Sequence, residues 1–498
     1  MKFELDSETR RALGYKLIDC IDHYFSSLPD RPVQLPAHER TFGSLGHELP
    51  EIGEEAPRVL DEICRELVDK GFHVPSANYF GLMNPTPTYM SVLAEALVAA
   101  LNPQLATLAR SQLASKIENE TVRWIGERVF GTPAVPPPSP SVEGASSTPA
   151  FAGTFTSGGN EANFSALALA IAAHFPGSVE NGVASIGAQP VLYASAEAHH
   201  SLDKSVSLLG LGRKALRRIV ITDNLQLDTR RLESRIAEDY ANGYRPFCVV
   251  GTAGTTNSGA IDDLEVLGDI SRRYGLWFHV DGAYGAAATF SDKHRHLVRG
   301  IERADSVTID PHKWLAMPFA AGVILTRHPA TLRKAFEVST PYMPRLENAA
   351  LIDNFKISTQ WSRRMNSLKL WLSLRVHGRH AYEELVDRQL TIARRFHDWL
   401  EASEQFEVAS PMYLPILNFR VKPNGRTEQE VAAANVAMVE EVTRDGRYWI
   451  SSTVVNGRSV IRAMIISYLT GEENLRGIQD VLTRAANRLS VSRSASGR

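Results

Sequence analysis

The sequence is short of cysteine, of surplus charge and of long apolar runs, and each shortage removes a class of protein. Its three cysteines, Cys20, Cys64 and Cys248, stand far apart without metal-ligand spacing. That argues against a disulfide framework and suits free thiols in a reducing compartment. Basic residues number 54 against 56 acidic ones, a net charge of −2, and no basic run tracks along the chain, so nucleic acid is not an expected partner. The most apolar stretch, Val92 to Leu101, is too short for a bilayer and carries Glu95. The opening MKFELDSETRRALG has no apolar signal core, and the protein is expected to be soluble and cytoplasmic, with no membrane partner and a small-molecule ligand. The dinucleotide fingerprint GxGxxG is missing too, which argues against a nicotinamide-dependent dehydrogenase.

What is present is a chain of 498 residues, 44% hydrophobic, enough for a large core and two or three domains. Leu13, Leu17, Ile18, Ile21, Tyr24 and Phe25 recur at helical spacing and predict a one-faced helix over 8–25, either an arm packed on a second subunit or a helix packed on its own domain. Short β-rich runs at Val191–Tyr193, Phe247–Val250, Trp277–Val280 and Val307–Ile309 alternate with helical segments, the pattern of a mostly parallel sheet flanked by helices. Thr132 to Pro149 has the composition of a surface loop. From about Met365 helical stretches precede strand-like LPILNFRV and SVIRAMIIS, as in a smaller α+β domain. The predicted division is an N-terminal helical and dimerisation segment (1–97), a large domain (98–364) and a small C-terminal domain (365–498).

In open α/β sheets ligands bind beyond the carboxyl ends of strands, and several such ends carry polar residues. TSGGNEAN, from Thr156 to Asn163, precedes a long helix, and its glycines and helix N-terminus suit a phosphate, although an ordinary strand-to-helix turn reads the same way. AEAHHSLDK holds His199 and His200, either of them catalytic or structural, and GTAGTTNSGAIDDL holds Thr252, Thr255 and Thr256, which meet a ligand or only solvent. LWFHVDGAYG puts Asp281 after one apolar strand, and SVTIDPHKW puts Asp310, His312 and Lys313 after the next. An Asp281–Lys313 ion pair is the bland reading, but burying one without purpose is costly. A partly desolvated lysine forms imines with aldehydes, and a carboxylate opposite a pyridine nitrogen keeps that nitrogen protonated. Together they specify pyridoxal 5′-phosphate (PLP).

These motifs, TSGGNEAN, AEAHHS, GTAGTT with GAIDDL, HVDGAYG and DPHKW in that order, resemble those of the group II PLP-dependent amino-acid decarboxylases, which include the aromatic L-amino-acid and glutamate decarboxylases. The likeness extends from about Tyr79 to the C-terminal helix. It implies an aspartate-aminotransferase-like α/β fold (PLP fold type I) with an N-terminal helical arm and a small C-terminal α+β domain. It also implies a homodimer with the active site at the interface, and conversion of an L-amino acid to an amine and CO2. By the same resemblance Lys313 carries PLP as a Schiff base and Asp281 partners the pyridine nitrogen. His199 stacks on the ring and Ala283 packs on its opposite face. Gly158, Gly159 and Asn160 form the phosphate turn, His312 approaches the phosphate, and Thr252 lies near the ring. Asp310 stands where some relatives have asparagine. Tyr342, in AFEVSTPYMPR, matches the mobile-loop tyrosine that returns a proton to Cα; phenylalanine there marks aldehyde-forming relatives.

The segment SANYFGLMNPTPTYM corresponds to the substrate pocket, with Leu82, Met83 and Asn84 at the contact positions. Leucine and methionine pack adaptably against rings. An acidic substrate needs a cation, for which Arg110, Arg363 and Arg364 are the candidates, from elsewhere in the chain or from a second subunit. A metal is not implied. The rival functions are an oxygen-using aldehyde synthase, an aminotransferase, a carbon–carbon lyase with a different lysine motif, and a non-catalytic PLP-binding protein.

Overall fold

The computed structural model describes residues 3–46, 48–132, 150–339 and 352–496. The loop expected from Thr132 to Pro149 therefore lies, beyond Thr132, outside the described residues, as does Tyr342.

Among the described residues the strands form two sheets. The larger contains β1 (Ala152–Thr156), β2 (Pro190–Ser195), β3 (Leu216–Ile219), β4 (Arg245–Thr252), β5 (Trp277–Asp281), β6 (Ser306–Ile309) and β7 (Gly322–Thr326), in the order β1-β7-β6-β5-β4-β2-β3. The expected strand runs are found as β2, β4, β5 and β6. Strands β3, β2, β4, β5 and β6 are mutually parallel, and β7 is antiparallel to both of its neighbours. Two reversals restore direction, so β1 ends on the same edge as β4, β5 and β6. Register sharpens this convergence, because Thr252 is level with Asp281 and Asp281 with Thr308.

These strands are buried on both faces, as parallel strands under helices must be. The helix Gly159–His174 crosses β4 to β7 on one face. Its Ala162, Ala166 and Ala170 are buried, and such small side chains let the helix axis approach the sheet closely. The smaller sheet has β8 (Phe406–Val408), β9 (Ile416–Val421), β10 (Ser451–Val455) and β11 (Arg458–Met464), all antiparallel in the order β10-β11-β9-β8. LPILNFRV and SVIRAMIIS supply β9 and β11. Asn456 (φ 49°) and Gly457 (φ 73°) turn the β10–β11 hairpin, an Asn-Gly pair suited to positive φ at both central positions. Phe396, Phe406, Phe419, Ile461 and Ile478 fill the core beneath this sheet.

The helix Ser7–Ser27 starts where Asp6 accepts a hydrogen bond from the Thr9 backbone N–H at 2.8 Å, and none of its residues is buried. It rests on the helix Ala56–Lys70 and leaves Leu17 and Ile18 exposed. Residues around Phe80 dock on the small sheet, the Phe80 N–H donating to Trp449 O (2.8 Å) and its carbonyl accepting from Met464 N (2.9 Å). The long helical span Ser367–Ala402 is broken at Gly378, φ 75°, where the sequence separates its two helical runs. No helix among the described residues is long and apolar enough to cross a membrane.

Candidate active site

The strand ends enclose a cavity of about 360 Å³ whose lining includes Gly158, Gly159, Asn160, His199, Thr252 and Thr255, and also Asp281, Ala283, Asp310, His312 and Lys313. Such a volume falls in the lower part of the range, about 300–1,000 Å³, of pockets that enclose small molecules. A larger and more open hollow beside His200, Lys204 and Arg213 takes residues from the AEAHHSLDK segment but none from the other strand ends. His200 itself faces solvent and bonds Asp203 at 3.2 Å, so of the two adjacent histidines only His199 belongs to the cavity.

One end of the cavity is built around Asp281. The carboxylate is 5% exposed; its Oδ2 accepts from Asn163 Nδ2 (2.8 Å) and its Oδ1 from the Ala283 backbone N–H (3.2 Å). Asn163 lies one helical turn beyond Gly159, which aims it back at the strand ends. Its Oδ1 meets the Thr308 hydroxyl at 2.7 Å and His279 Nε2 at 3.1 Å. Burial pushes the fully enclosed His279 ring well below the ordinary histidine range, outweighing the opposing pull of Asp281. Above the cavity His199 is open to solvent on its outer side. Its Nδ1 accepts from the Ser201 backbone N–H at 3.1 Å, which leaves the proton of the neutral ring on Nε2. Partial loss of water lowers its proton affinity, with Asp281 pulling the other way.

The opposite end is the turn Gly158-Gly159-Asn160 and the DPHK segment. Gly158 has φ 152°, and a Cβ on Gly159 would come within 2.8 Å of Asp310 Oδ2, so only glycine lets this helix start approach so closely. Lys313 pairs with Asp310 at 3.2 Å. Asp281 is tied instead to Asn163 and Ala283, and the simple Asp281–Lys313 ion pair is not the arrangement found. The Asp310 N–H donates to Ala283 O (3.1 Å), binding the two strand ends together. His312 is buried; its Nδ1 accepts from the Ala321 N–H at 3.1 Å, its Nε2 lies 3.6 Å from Asp310, and burial lowers its proton affinity against the pull of that carboxylate. Thr252 is fixed from behind: Asp262 accepts its backbone N–H at 2.8 Å and that of Leu227 at 2.7 Å. Burial raises the Asp262 carboxyl to about 6. Thr255, by contrast, spends its hydroxyl on Ser258 (2.9 Å) inside its own loop.

The residues present fit a cofactor with a flat ring and an anionic tail. Thr252 Oγ1, level with Asp281 across the sheet, is buried without a hydrogen-bond partner and can serve a ring substituent, and the glycine turn at a helix N-terminus offers free N–H groups that favour an anion. A buried hydroxyl left unpaired is costly, and both Thr252 and the glycine turn border the cavity.

The substrate-side expectations fare less evenly. Met83 lines the cavity, whereas Leu82 is 43% exposed and Asn84 is half-buried outside the lining. The turn closed by Asn84 N–H to Leu82 O (2.8 Å) sends them away. Within this chain none of the three arginines reaches in, which leaves entry from a second subunit, the other route expected for them, untouched. Arg363 is buried against Glu118 at 2.6 Å, Arg364 pairs with Glu95 at 2.7 Å, and Arg110 is exposed. Sequence reasoning passed over Asn163, His279 and Asp262 as site residues. Strand alternation offered a signal, since in WFHVD and SVTID the polar residues fall at every second position and thus on one face.

The pyridoxal-dependent decarboxylase conserved domain matches residues 36–422. An aromatic-L-amino-acid decarboxylase of Bacillus atrophaeus is 31% identical over 493 residues, covering 98% of this chain and 98% of that protein. Tyrosine decarboxylase 2 of Arabidopsis thaliana is 28% identical over 497 residues, covering 97% and 88%. The crystal structure of Oryza sativa TDC with PLP and tryptamine superposes with a TM-score of 0.89 at 24% identity, over 97% of this chain and 99% of that one, a likeness of fold. A domain match that spans most of the chain, and a relative alike from end to end, agree with the lysine, carboxylate and glycine turn gathered at one sheet edge: the chain belongs to the pyridoxal-dependent decarboxylase family and is a PLP-dependent amino-acid carboxy-lyase.

Proposed function

We propose that the substrate is an aromatic L-amino acid and that Lys313, Asp281, His199 and Tyr342 carry its decarboxylation. The observation behind the residue assignment is that Lys313, Asp281 and His199 border a single cavity with the glycine turn. The aromatic preference is supported by the names of the relatives, aromatic-L-amino-acid and tyrosine decarboxylase, and by Met83 as an adaptable apolar wall. It is supported too by the engagement of Arg363 and Arg364 elsewhere, since a buried acidic side chain needs a cation.

Lys313 would hold the cofactor, Asp281 would face its ring nitrogen, and His199 and Ala283 would lie against its two faces. The turn Gly158–Asn160, with His312 and Asp310, would surround its phosphate, and Thr252 would lie near the ring. PLP, when bound, supplies the electron sink that lets the α-carboxyl group leave as CO2. Asp281 keeps a proton on the ring nitrogen by presenting a fixed negative charge, a preorganised electrostatic contribution. His199 caps the site and excludes water from one side of the reacting carbon. Tyr342 is assigned the return of a proton to that carbon.

A homodimer accounts for Leu17, Ile18, Val59, Ile63 and Leu67, all exposed on the two N-terminal helices, because apolar residues clustered on a surface mark an interface. The divisions at 97/98 and 364/365 and a cytoplasmic location belong to the same proposal. The test is to incubate PLP-loaded protein with a panel of amino acids, using Lys313→Ala as the control, and to identify products by mass spectrometry. An amine from aromatic substrates only, absent in the control, supports the proposal. A keto acid would make the protein an aminotransferase, and an amine from glutamate alone would overturn the aromatic assignment. Sedimentation of the same sample as a monomer with full activity would overturn the dimer.

A further inference from the structure

Behind Asp281 a chain of buried polar groups has both of its ends chemically fixed. Trp277 Nε1 can only donate, and donates to Ser306 Oγ at 2.8 Å. At the other end an ionised Asp281 can only accept, and takes Asn163 Nδ2 at 2.8 Å. Between them Ser306 Oγ lies 2.9 Å from His279 Nδ1, and His279 Nε2 lies 3.1 Å from Asn163 Oδ1. The Asn163 amide is oriented by Asp281, which only its N–H can face, and the Thr308 (2.7 Å) and Ser201 (2.9 Å) hydroxyls, able to donate or accept, fit that orientation.

These constraints leave one direction for a neutral ring. The Ser306 hydroxyl donates to Nδ1, the ring proton sits on Nε2, and Nε2–H donates to Asn163 Oδ1. A proton on Nδ1 alone would set the bare Nε2 against an amide oxygen. The carbonyl of Ser306, 3.1 Å from Nδ1, would be served only by that proton; together with Nε2–H it makes the cation, whose charge a ring 0% exposed disfavours. The charged and titratable groups recorded against this ring and its backbone are Asp281 on its own strand and the buried Cys248 thiol on β4, which meets the His279 backbone. Geometry supplies the alignment: His279 is level with Ser306, and Asp281 with Thr308, across β5 and β6.

We infer that Trp277, Ser306, His279 and Asn163 form a one-way hydrogen-bond relay that positions Asp281 by presenting it a single fixed N–H, with His279 held as the neutral Nε2–H tautomer. Asn163 and His279 are thus positioning residues, acting on the cofactor ring through Asp281. The inference rests on the proposed pairing of Asp281 with the ring nitrogen, and its test separates the two.

In cofactor-free protein labelled with ¹⁵N at histidine, the His279 signal is assigned by its loss in His279→Gln. Between about pH 5 and about pH 8, two-bond ¹H–¹⁵N correlations are expected to show Nε2 protonated and Nδ1 bare. A doubly protonated ring, or a proton on Nδ1, overturns the relay and needs no variant to fold. In the second arm PLP dissociation constants are measured by absorbance for wild type, Asn163→Ala and Asp281→Ala, with melting of each apoprotein as a check on folding. Asn163→Ala is expected to weaken binding about 10- to 100-fold, the worth of a hydrogen bond to a charged group. If Asp281→Ala weakens binding and Asn163→Ala does not, the relay falls alone. If neither does, the pairing of Asp281 with the cofactor falls and the relay has nothing to serve.

Discussion

The two ends of the cavity are built on opposite terms. Around Asp281 both carboxylate oxygens are bonded and the asparagine behind them uses both donors and its acceptor, all without help from a ligand. Around Asp310 one carboxylate oxygen is buried with no partner, and the charge of Lys313 is parked on the other at 3.2 Å. A finished polar network is rigid, whereas an unfinished one awaits the groups that complete it. On the proposed placement of the cofactor, the comparison teaches that the ring end would be preformed for catalysis, while the phosphate end would have to rearrange its charges when the cofactor enters.

The sharpest way to break the comparison is Asp281→Asn. The shape is retained while the negative charge proposed to face the ring nitrogen is removed. Catalysis should fall about 10²- to 10³-fold, as for loss of one preorganised electrostatic group. Steady-state kinetics on the PLP-loaded variant would check this, with the apoprotein melting near wild type. Retention of wild-type kcat would show that the preformed end is structural only.

Gly159→Ala tests the other end. Its Cβ would sit 2.8 Å from Asp310 Oδ2 and 3.2 Å from the Ala283 Cβ, so the helix start or the carboxylate must move. Overpacking of this kind costs about 1–3 kcal/mol, and the loss should appear as weaker PLP binding rather than as unfolding of the apoprotein. Asp310→Asn should act more gently and in the opposite direction. It keeps the shape but removes a negative charge from beside the phosphate turn, so PLP should bind a few-fold tighter at low salt, with the gain shrinking as salt screens it. Titration by fluorescence at two salt concentrations reads both effects, and weaker binding at either would mean that the Lys313–Asp310 pair prepares the site.

Much of this site is legible from sequence because its parts stand at strand ends: Asp281 and Lys313 follow the β-rich runs WFHV and SVTI, and parallel strands bring such ends to one edge. Long-range partners were harder to read. Nothing near Asn163 in the chain reveals His279, 116 positions on, and only the packing of the helix Gly159–His174 across the sheet joins them. The substrate side was read from one segment, and a local turn at Leu82 and Asn84 redirected two of its three side chains. Arginines invoked for that pocket were committed to Glu118 and Glu95, pairings that composition cannot foresee. In the small sheet, the Asn-Gly pair at 456 and 457 marked a hairpin in plain view, yet β10 is too mixed in burial to stand out as a strand.

The smallest expected difference between the two ends concerns acid stability. Burial lowers the proton affinity of both His279 and His312, so in each case the folded chain refuses a proton that the unfolded chain accepts near pH 6.5. Above about pH 6.5 neither state is charged there and the stability is present in full; as pH falls below that value it is lost, by at most about 1.4 kcal/mol per pH unit for each ring. His312 has a carboxylate 3.6 Å from Nε2 to favour its charged form, while His279 meets Asp281 only through Asn163. The preformed end should therefore supply the steeper share. Denaturant midpoints of apoprotein measured from about pH 7.5 to about pH 5 should fall for wild type. They should fall least steeply for His279→Gln, even though that variant starts lower, and at an intermediate slope for His312→Gln. Equal slopes in all three would place the acid sensitivity elsewhere in the molecule and remove this distinction between the two ends.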